Sequence, residues 1–167
     1  PDLWHNPNPS IPLKVLRDIG VACDRLIVSK SISAICVADE FSAKRVIERY
    51  GRQPKIIHYG IDYDFFSSGD ERQVSQRFDL YNNFVLLQVG WISPQKNQLE
   101  SIKAVEQLRS NIPNIKLILA GSGQNPYGKI LREYLHTKGL EKYVVFTGHL
   151  SKKIIRDLYH ACDIVLF

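Results

Sequence analysis

In the second half of the chain, short apolar runs recur at regular spacing. They are Phe84–Val89, Ile115–Ala120, Tyr143–Thr147 and Asp163–Phe167. Runs this short, bounded by glycine or polar residues, read as strands that a parallel sheet buries on both faces. Between them the apolar residues take helical spacing. Leu99, Ile102, Val105 and Leu108 share one face of a helix over 98–110, which Pro113 brings to an end. Ile130, Leu131, Tyr134 and Leu135 face inward from a helix over 129–137, closed by Gly139. Ser151 caps a third helix to about Ala161, with Ile154, Ile155, Leu158 and Tyr159 inward.

The first half is less regular. Ser33–Ala38 is a compact β-rich run, and Asp39 offers an N-cap to a helix through Arg49 that ends at Gly51. Phe41, Val46, Ile47 and Tyr50 form the inner face of that helix, and a short strand over Lys55–His58 follows. Upstream, Leu13–Ile19 reads as a short helix closed near Gly20, and Cys23–Ser29 as a short strand or turn. Pro1, Pro7, Pro9 and Pro12 predict an irregular lead-in over residues 1–12. The polar stretch ending at Asp79 has no period and reads as a loop with one helical turn.

Strands alternating with helices predict an α/β fold: a Rossmann-like parallel sheet with flanking helices. Right-handed crossovers put every strand-to-helix loop on one edge of such a sheet, where ligands of open α/β folds bind. The loops 90–97, 121–128 and 148–151 are therefore expected to converge on one cleft. The first joins a strand ending at Gly90 to a helix N-terminus with Lys96 beside it, a place suited to phosphate, although any βα unit has such a turn. Gly121-Ser-Gly123 is not a dinucleotide fingerprint, because the third glycine arrives only at Gly128. There is no P-loop, no nucleophile elbow and no metal-ligand spacing among His5, His58, His136, His149 and His160. Of these only His149 falls on the ligand edge. No catalytic residue, metal ligand or cofactor is assigned.

Composition narrows the picture a little. At 167 residues the chain holds one core, or one domain and part of another. The formal charge of +5 suits anionic partners, but the basic residues are scattered, which argues against nucleic acid. Cys23, Cys36 and Cys162 are odd in number and unpaired in spacing, which suits a reducing, cytoplasmic location without disulfides or zinc. Two of them lie in apolar runs, where a buried inert thiol is the default. No apolar run reaches spanning length. Pro1 at the start and Phe167 inside an apolar run suggest a piece of a longer protein.

Five segments together resemble the family 4 retaining glycosyltransferases (glycosyl transferases group 1), which have the two-domain GT-B architecture. Ile56–Phe66 resembles their interdomain segment, and Val89–Asn97 their valine-glycine-arginine-leucine segment followed by a lysine. Leu117–Gly123 matches the next strand and glycine turn, Gly139–Gly148 the run before the base-binding loop, and Leu158–Phe167 the element after it. The resemblance covers residues 33–167 and implies that 1–55 are the tail of an acceptor-side domain with its linker. Residues 56–167 would be part of the C-terminal nucleotide-sugar-binding domain, incomplete at its end.

The resemblance also implies a donor site at Gly90, Trp91, Lys96, Gly121, Ser122, Gly123, Gly148, His149 and Leu150, with Lys96 on the diphosphate. The family arginine that partners this lysine corresponds to Trp91, which offers no charge and no guanidinium fork. Trp91 therefore leaves diphosphate affinity to be made up elsewhere, or packs against a neighbouring domain. The family's glutamate pair would lie beyond the last strand, so these residues alone are not expected to turn over substrate. The expected partners are a UDP- or GDP-sugar and a glycan or lipid-linked acceptor, with peripheral contact at a membrane surface allowed by the charge. The alternatives are a GT-B-like binding or assembly module without catalysis, and a Rossmann-type oxidoreductase, which the missing fingerprint disfavours.

Overall fold

In the computed structural model, which describes residues 11–167, the first element is a single helix, Ile11–Lys30 (α1). It runs through Gly20 and takes in Cys23–Ser29, replacing the short helix and the strand or turn expected there. An interior glycine costs a helix about 1 kcal/mol relative to alanine and does not end it. Here the less exposed positions Gly20, Val21, Asp24 and Val28 continue at helical spacing. Of the lead-in expected over residues 1–12, the part through residue 10 lies outside the described residues, while Ile11 and Pro12 open α1.

Cys36–Val37 (β1) pairs in parallel with Lys55–Ile56 (β2), with Glu40–Tyr50 (α2) between them. Helix α2 starts and stops as its sequence dictates. The Asp39 carboxylate accepts the Ser42 N–H at 2.7 Å, and Gly51 closes the helix in the left-handed region at φ +66°. Its inner face differs from expectation: Phe41 is 70% exposed and Ile47 is also exposed, while the buried residue is Ala43. Phe41 instead lies under the Arg45 guanidinium. Cys36, expected to be buried, is exposed, whereas Cys162 is half-buried and burial pushes its thiol pKa up. These elements belong to a unit ending at Ile61; a second unit spans Asp62–Phe167.

The second unit opens with Tyr63–Ser67 (α3) and Arg72–Phe78 (α4). Helix α4 occupies a stretch expected to be mostly loop. Its buried face is only Val74 and Ser75, too little to print a period on the sequence, and it stops at Asp79, which is left-handed at φ +53°. Then come Phe84–Val89 (β3), Gln98–Leu108 (α5), Ile115–Ala120 (β4), Pro126–Lys138 (α6), Val144–Gly148 (β5), Lys152–Ala161 (α7) and Ile164–Leu166 (β6). The strands form one parallel sheet in the order β5-β4-β3-β6. This is the expected Rossmann-like sheet with flanking helices.

Strand β4 shows why its run is unbroken. Leu117 and Leu119 pack into the core beneath α5 and α6, and Ile118 and Ala120 into the core with α4 and α7. Lys116, the exception in that strand, is buried; its ammonium reaches the Phe78 carbonyl at 3.0 Å and the Asp79 carboxylate at 3.0 Å. Helix α6 begins before residue 129 because Asn125 caps it, accepting the Gly128 N–H at 2.8 Å, with Pro126 in the first turn. Ile130, expected inside, is 54% exposed. It lies about 100° round the helix from Leu131, beyond the buried stripe.

Asp157 joins α7 to the segment before α4. It is 4% exposed; Arg156 Nη2 approaches its Oδ1 at 2.7 Å, and the Asp70 N–H donates to the same oxygen at 3.1 Å. Burial pushes its pKa up, but the hydrogen bonds from Arg156 and Asp70 outweigh this, and the carboxyl is held below the usual range. A depressed carboxylate stabilises the fold above the unfolded value of about 4 and loses that contribution as pH falls through the folded value. Asp157→Asn is therefore expected to cost about 1–3 kcal/mol at pH 7. The gap between variant and wild type should close as urea melts are taken below pH 4.

Candidate functional site

The loops after β3, β4 and β5 meet at the carboxyl edge of the sheet. Two hydrogen bonds extend the β3–β4 pairing past the strand ends: Gly90 N–H to the Ala120 carbonyl at 2.9 Å, and Ile92 N–H to the Ser122 carbonyl at 3.0 Å. On the other side Gly121 bridges to Gly148. The Gly90 and Gly121 backbones approach so closely that a methyl on Gly121 would lie 1.8 Å from the Gly90 carbonyl oxygen. Gly90 has φ +152°, a conformation side chains rarely adopt.

Polar side chains that the sequence reading did not single out hold the 91–97 loop. Gln98 is 1% exposed; its Nε2 donates to the Trp91 carbonyl at 3.0 Å and its Oε1 accepts the Ser93 N–H at 3.2 Å. Gln88, in β3, donates to the Lys96 carbonyl at 2.9 Å and accepts from the Ser101 hydroxyl at 2.9 Å. Asn125 donates to the Ile92 carbonyl at 2.8 Å. The available signal was Gln88 itself. A glutamine inside an apolar strand must find partners, and here they are loop backbone and a helix hydroxyl.

The result is a cleft of about 290 Å³ on the second unit. Of the residues expected at the site, Gly90, Trp91, Gly121, Ser122, His149 and Leu150 line it. Val89, Ala120 and Ile155 complete its apolar wall. Trp91 is 69% exposed. Lys96, Gly123 and Gly148 are not among the lining residues. Lys96 is exposed, with its stem beside Gly90; a methyl there would lie 3.7 Å from Lys96 Cε. Among the described residues no carboxylate pairs with it. Gly123 packs against Ile92, and its carbonyl accepts from Arg132 at 3.2 Å; Gly148, at φ +72°, is the bridge residue. No carboxylate lines the cleft, and His149 is its one titratable lining residue. Among the described residues no group of three or more His, Cys, Asp or Glu is placed to hold a metal ion, and no helix is long and apolar enough to cross a membrane.

The family model for glycosyl transferases group 1 matches residues 70–167, the span that contains the cleft. The chain belongs to the glycosyl transferases group 1 family. Among curated relatives, the D-inositol 3-phosphate glycosyltransferase of Mycobacterium tuberculosis is 30% identical over 94% of this chain and 32% of its own length. The mannosylfructose-phosphate synthase of Agrobacterium fabrum is 27% identical over 83% of this chain and 33% of its own. This group 1 chain thus spans about a third of the length of the curated relatives it matches. Among solved structures, that of Anabaena HepE in complex with UDP and glucose superposes with a TM-score of 0.77. It is 28% identical over 88% of this chain and 41% of its own. The fold is that of part of a GT-B glycosyltransferase.

Proposed function

We propose that these residues are the donor-side portion of a retaining glycosyltransferase that moves a sugar from a UDP- or GDP-sugar to a glycan or lipid-linked acceptor. The observation that carries this reading is the cleft at the carboxyl edge of the parallel sheet, inside the span that matches the family. The HepE complex supports UDP as the first nucleotide to test. In this reading residues 1–55 belong to the acceptor side and its linker, and 56–167 to the donor domain. Lys96 and the N-terminal end of α5 offset the diphosphate charge without a bound metal. The lysine lies outside the cleft, so the nucleoside occupies the cleft and the diphosphate extends from it past Gly90. The net charge of +5 suits work at a cytoplasmic, anionic membrane surface.

The test is calorimetric titration of UDP and GDP into the full-length protein. Saturable binding of one of them is expected, and binding of neither contradicts the reading. A second reading, a GT-B-like module that binds or assembles without transferring sugar, is favoured by Trp91 in place of the family arginine. It predicts nucleotide binding without donor hydrolysis or transfer, and no glutamate pair in the reading frame after Phe167.

A further inference from the structure

We infer that Arg132, which is not among the residues lining the cleft, is a positioning residue of the donor site. It ties the loop after β4 to strand β5, and so fixes two of the three site loops against each other. The inference rests on the donor reading of the cleft and adds to it a residue that holds the geometry without touching the donor.

One end of the clamp is the loop after β4. Gly128 sits in the first turn of α6, although glycine is among the poorest helix formers. A methyl there would lie 2.0 Å from the Gly123 carbonyl oxygen and 2.9 Å from its carbonyl carbon. The helix thus gives up propensity to let the loop backbone approach. Gly123 is buried, and a buried carbonyl needs a donor. Arg132 Nη1 supplies it at 3.2 Å, and the same nitrogen donates to the Gly128 carbonyl at 3.1 Å. One side chain therefore holds the two backbones that the missing Cβ lets meet. Gly121 and Ser122, just before Gly123, line the cleft.

The other end is β5. The Arg132 guanidinium carbon lies 4.7 Å from the centroid of the Phe146 ring. Phe146 stands where β5 changes register: Leu119 pairs with Phe146, but Ala120 pairs with Gly148, which leaves Thr147 as an extra residue. Such a bulge re-aims the chain that follows it, and here His149 and Leu150 follow, both lining the cleft. The Thr147 hydroxyl fastens the bulge by donating to the Gly148 carbonyl at 3.0 Å. Arg132 fastens the ring beside it. A guanidinium suits both tasks, because it carries several donors and a flat face that stacks on an aromatic ring. Among the described residues no carboxylate pairs with Arg132, so its charge serves these loop contacts rather than an ion pair.

The experiment is calorimetry of UDP and GDP on the full-length protein, at two salt concentrations, with amide hydrogen exchange of the unliganded protein alongside. The variants are Arg132→Met, which keeps the apolar stem, and Lys129→Met, which removes a neighbouring exposed charge from the same helix. Arg132→Met should stay folded and weaken the nucleotide that binds by about tenfold, because its site loops are no longer held in register. Lys129→Met should stay within about twofold of wild type. Exchange in Arg132→Met should quicken in 121–125 and 146–150 and not in α5. Added salt should weaken nucleotide binding by the same factor in Arg132→Met and wild type, because Arg132 does not meet the phosphates. If folded Arg132→Met binds nucleotide as wild type does, or if exchange quickens throughout with α5 included, the positioning role is overturned while the donor reading stands. A smaller salt effect in Arg132→Met would also overturn it, since Arg132 would then be in contact with the anion. If wild type binds neither nucleotide, the donor reading falls and this role with it.

Discussion

Gly121→Ala is expected to destabilise the protein by about 3 kcal/mol and to abolish nucleotide binding. The added methyl would lie 1.8 Å from the Gly90 carbonyl oxygen and 2.7 Å from the Gly90 carbonyl carbon. Both are backbone atoms, so no rotamer change relieves the clash; the loops after β3 and β4 must part. Parting them strains the bonds from Gly90 N–H to Ala120 and from Ile92 N–H to Ser122, and with them the cleft wall. For a unit of this size the cost corresponds to a fall in Tm of about 10 °C or more. Ser122→Ala is the control: its side chain is exposed and it serves the loop through its carbonyl, so it should lie within about 0.5 kcal/mol of wild type. A Gly121→Ala protein that melts with wild type would show that the loops are not in contact as described.

Lys96→Ala is expected to leave stability within about 0.5 kcal/mol of wild type and to reduce nucleoside diphosphate affinity about 10- to 100-fold. The stability half follows from exposure and from the lack of a carboxylate partner among the described residues. What the fold uses of Lys96 is its backbone, whose carbonyl accepts from Gln88, and alanine keeps that. The affinity half follows from the charge-assisted hydrogen bond proposed to the diphosphate. Added salt should weaken the wild type more than the variant, because the screened charge is the one removed. Free nucleoside should bind both equally. Unchanged diphosphate affinity in Lys96→Ala would take the lysine out of the site.

The parallel sheet was legible because burial left its mark on the sequence. β3 and β4 have the bounds their apolar runs imply, since each strand is covered on both faces. α2 was legible from its caps, Asp39 and Gly51, although its inner face was not. What escaped reading lacked a period. α4 buries only Val74 and Ser75, and α1 was cut in two by trusting Gly20 as a stop.

At the site, sequence reasoning found the loops but not what holds them. Gln88, Gln98 and Asn125 act by donating to loop carbonyls far from them in the chain, and such partners cannot be read from spacing. Gly121 was noticed as part of a glycine turn that the resemblance places at the donor site. The structure gives it another reason to be glycine, the approach of the Gly90 backbone. Lys96 and the cleft were expected as one site; the lysine stem lies beside Gly90, a lining residue, but Lys96 itself is not among the residues that line the cleft.

The central claim is that the loops after β3, β4 and β5 bind the donor nucleotide. Amide hydrogen exchange of the full-length protein, with and without saturating UDP or GDP, tests it most directly. The account predicts slowed exchange in 90–97, 121–123 and 148–150, and little change around a larger cavity lined by Arg25, Arg45 and Arg49 in the unit ending at Ile61. Protection centred on those arginines, with the three loops unchanged, would contradict it.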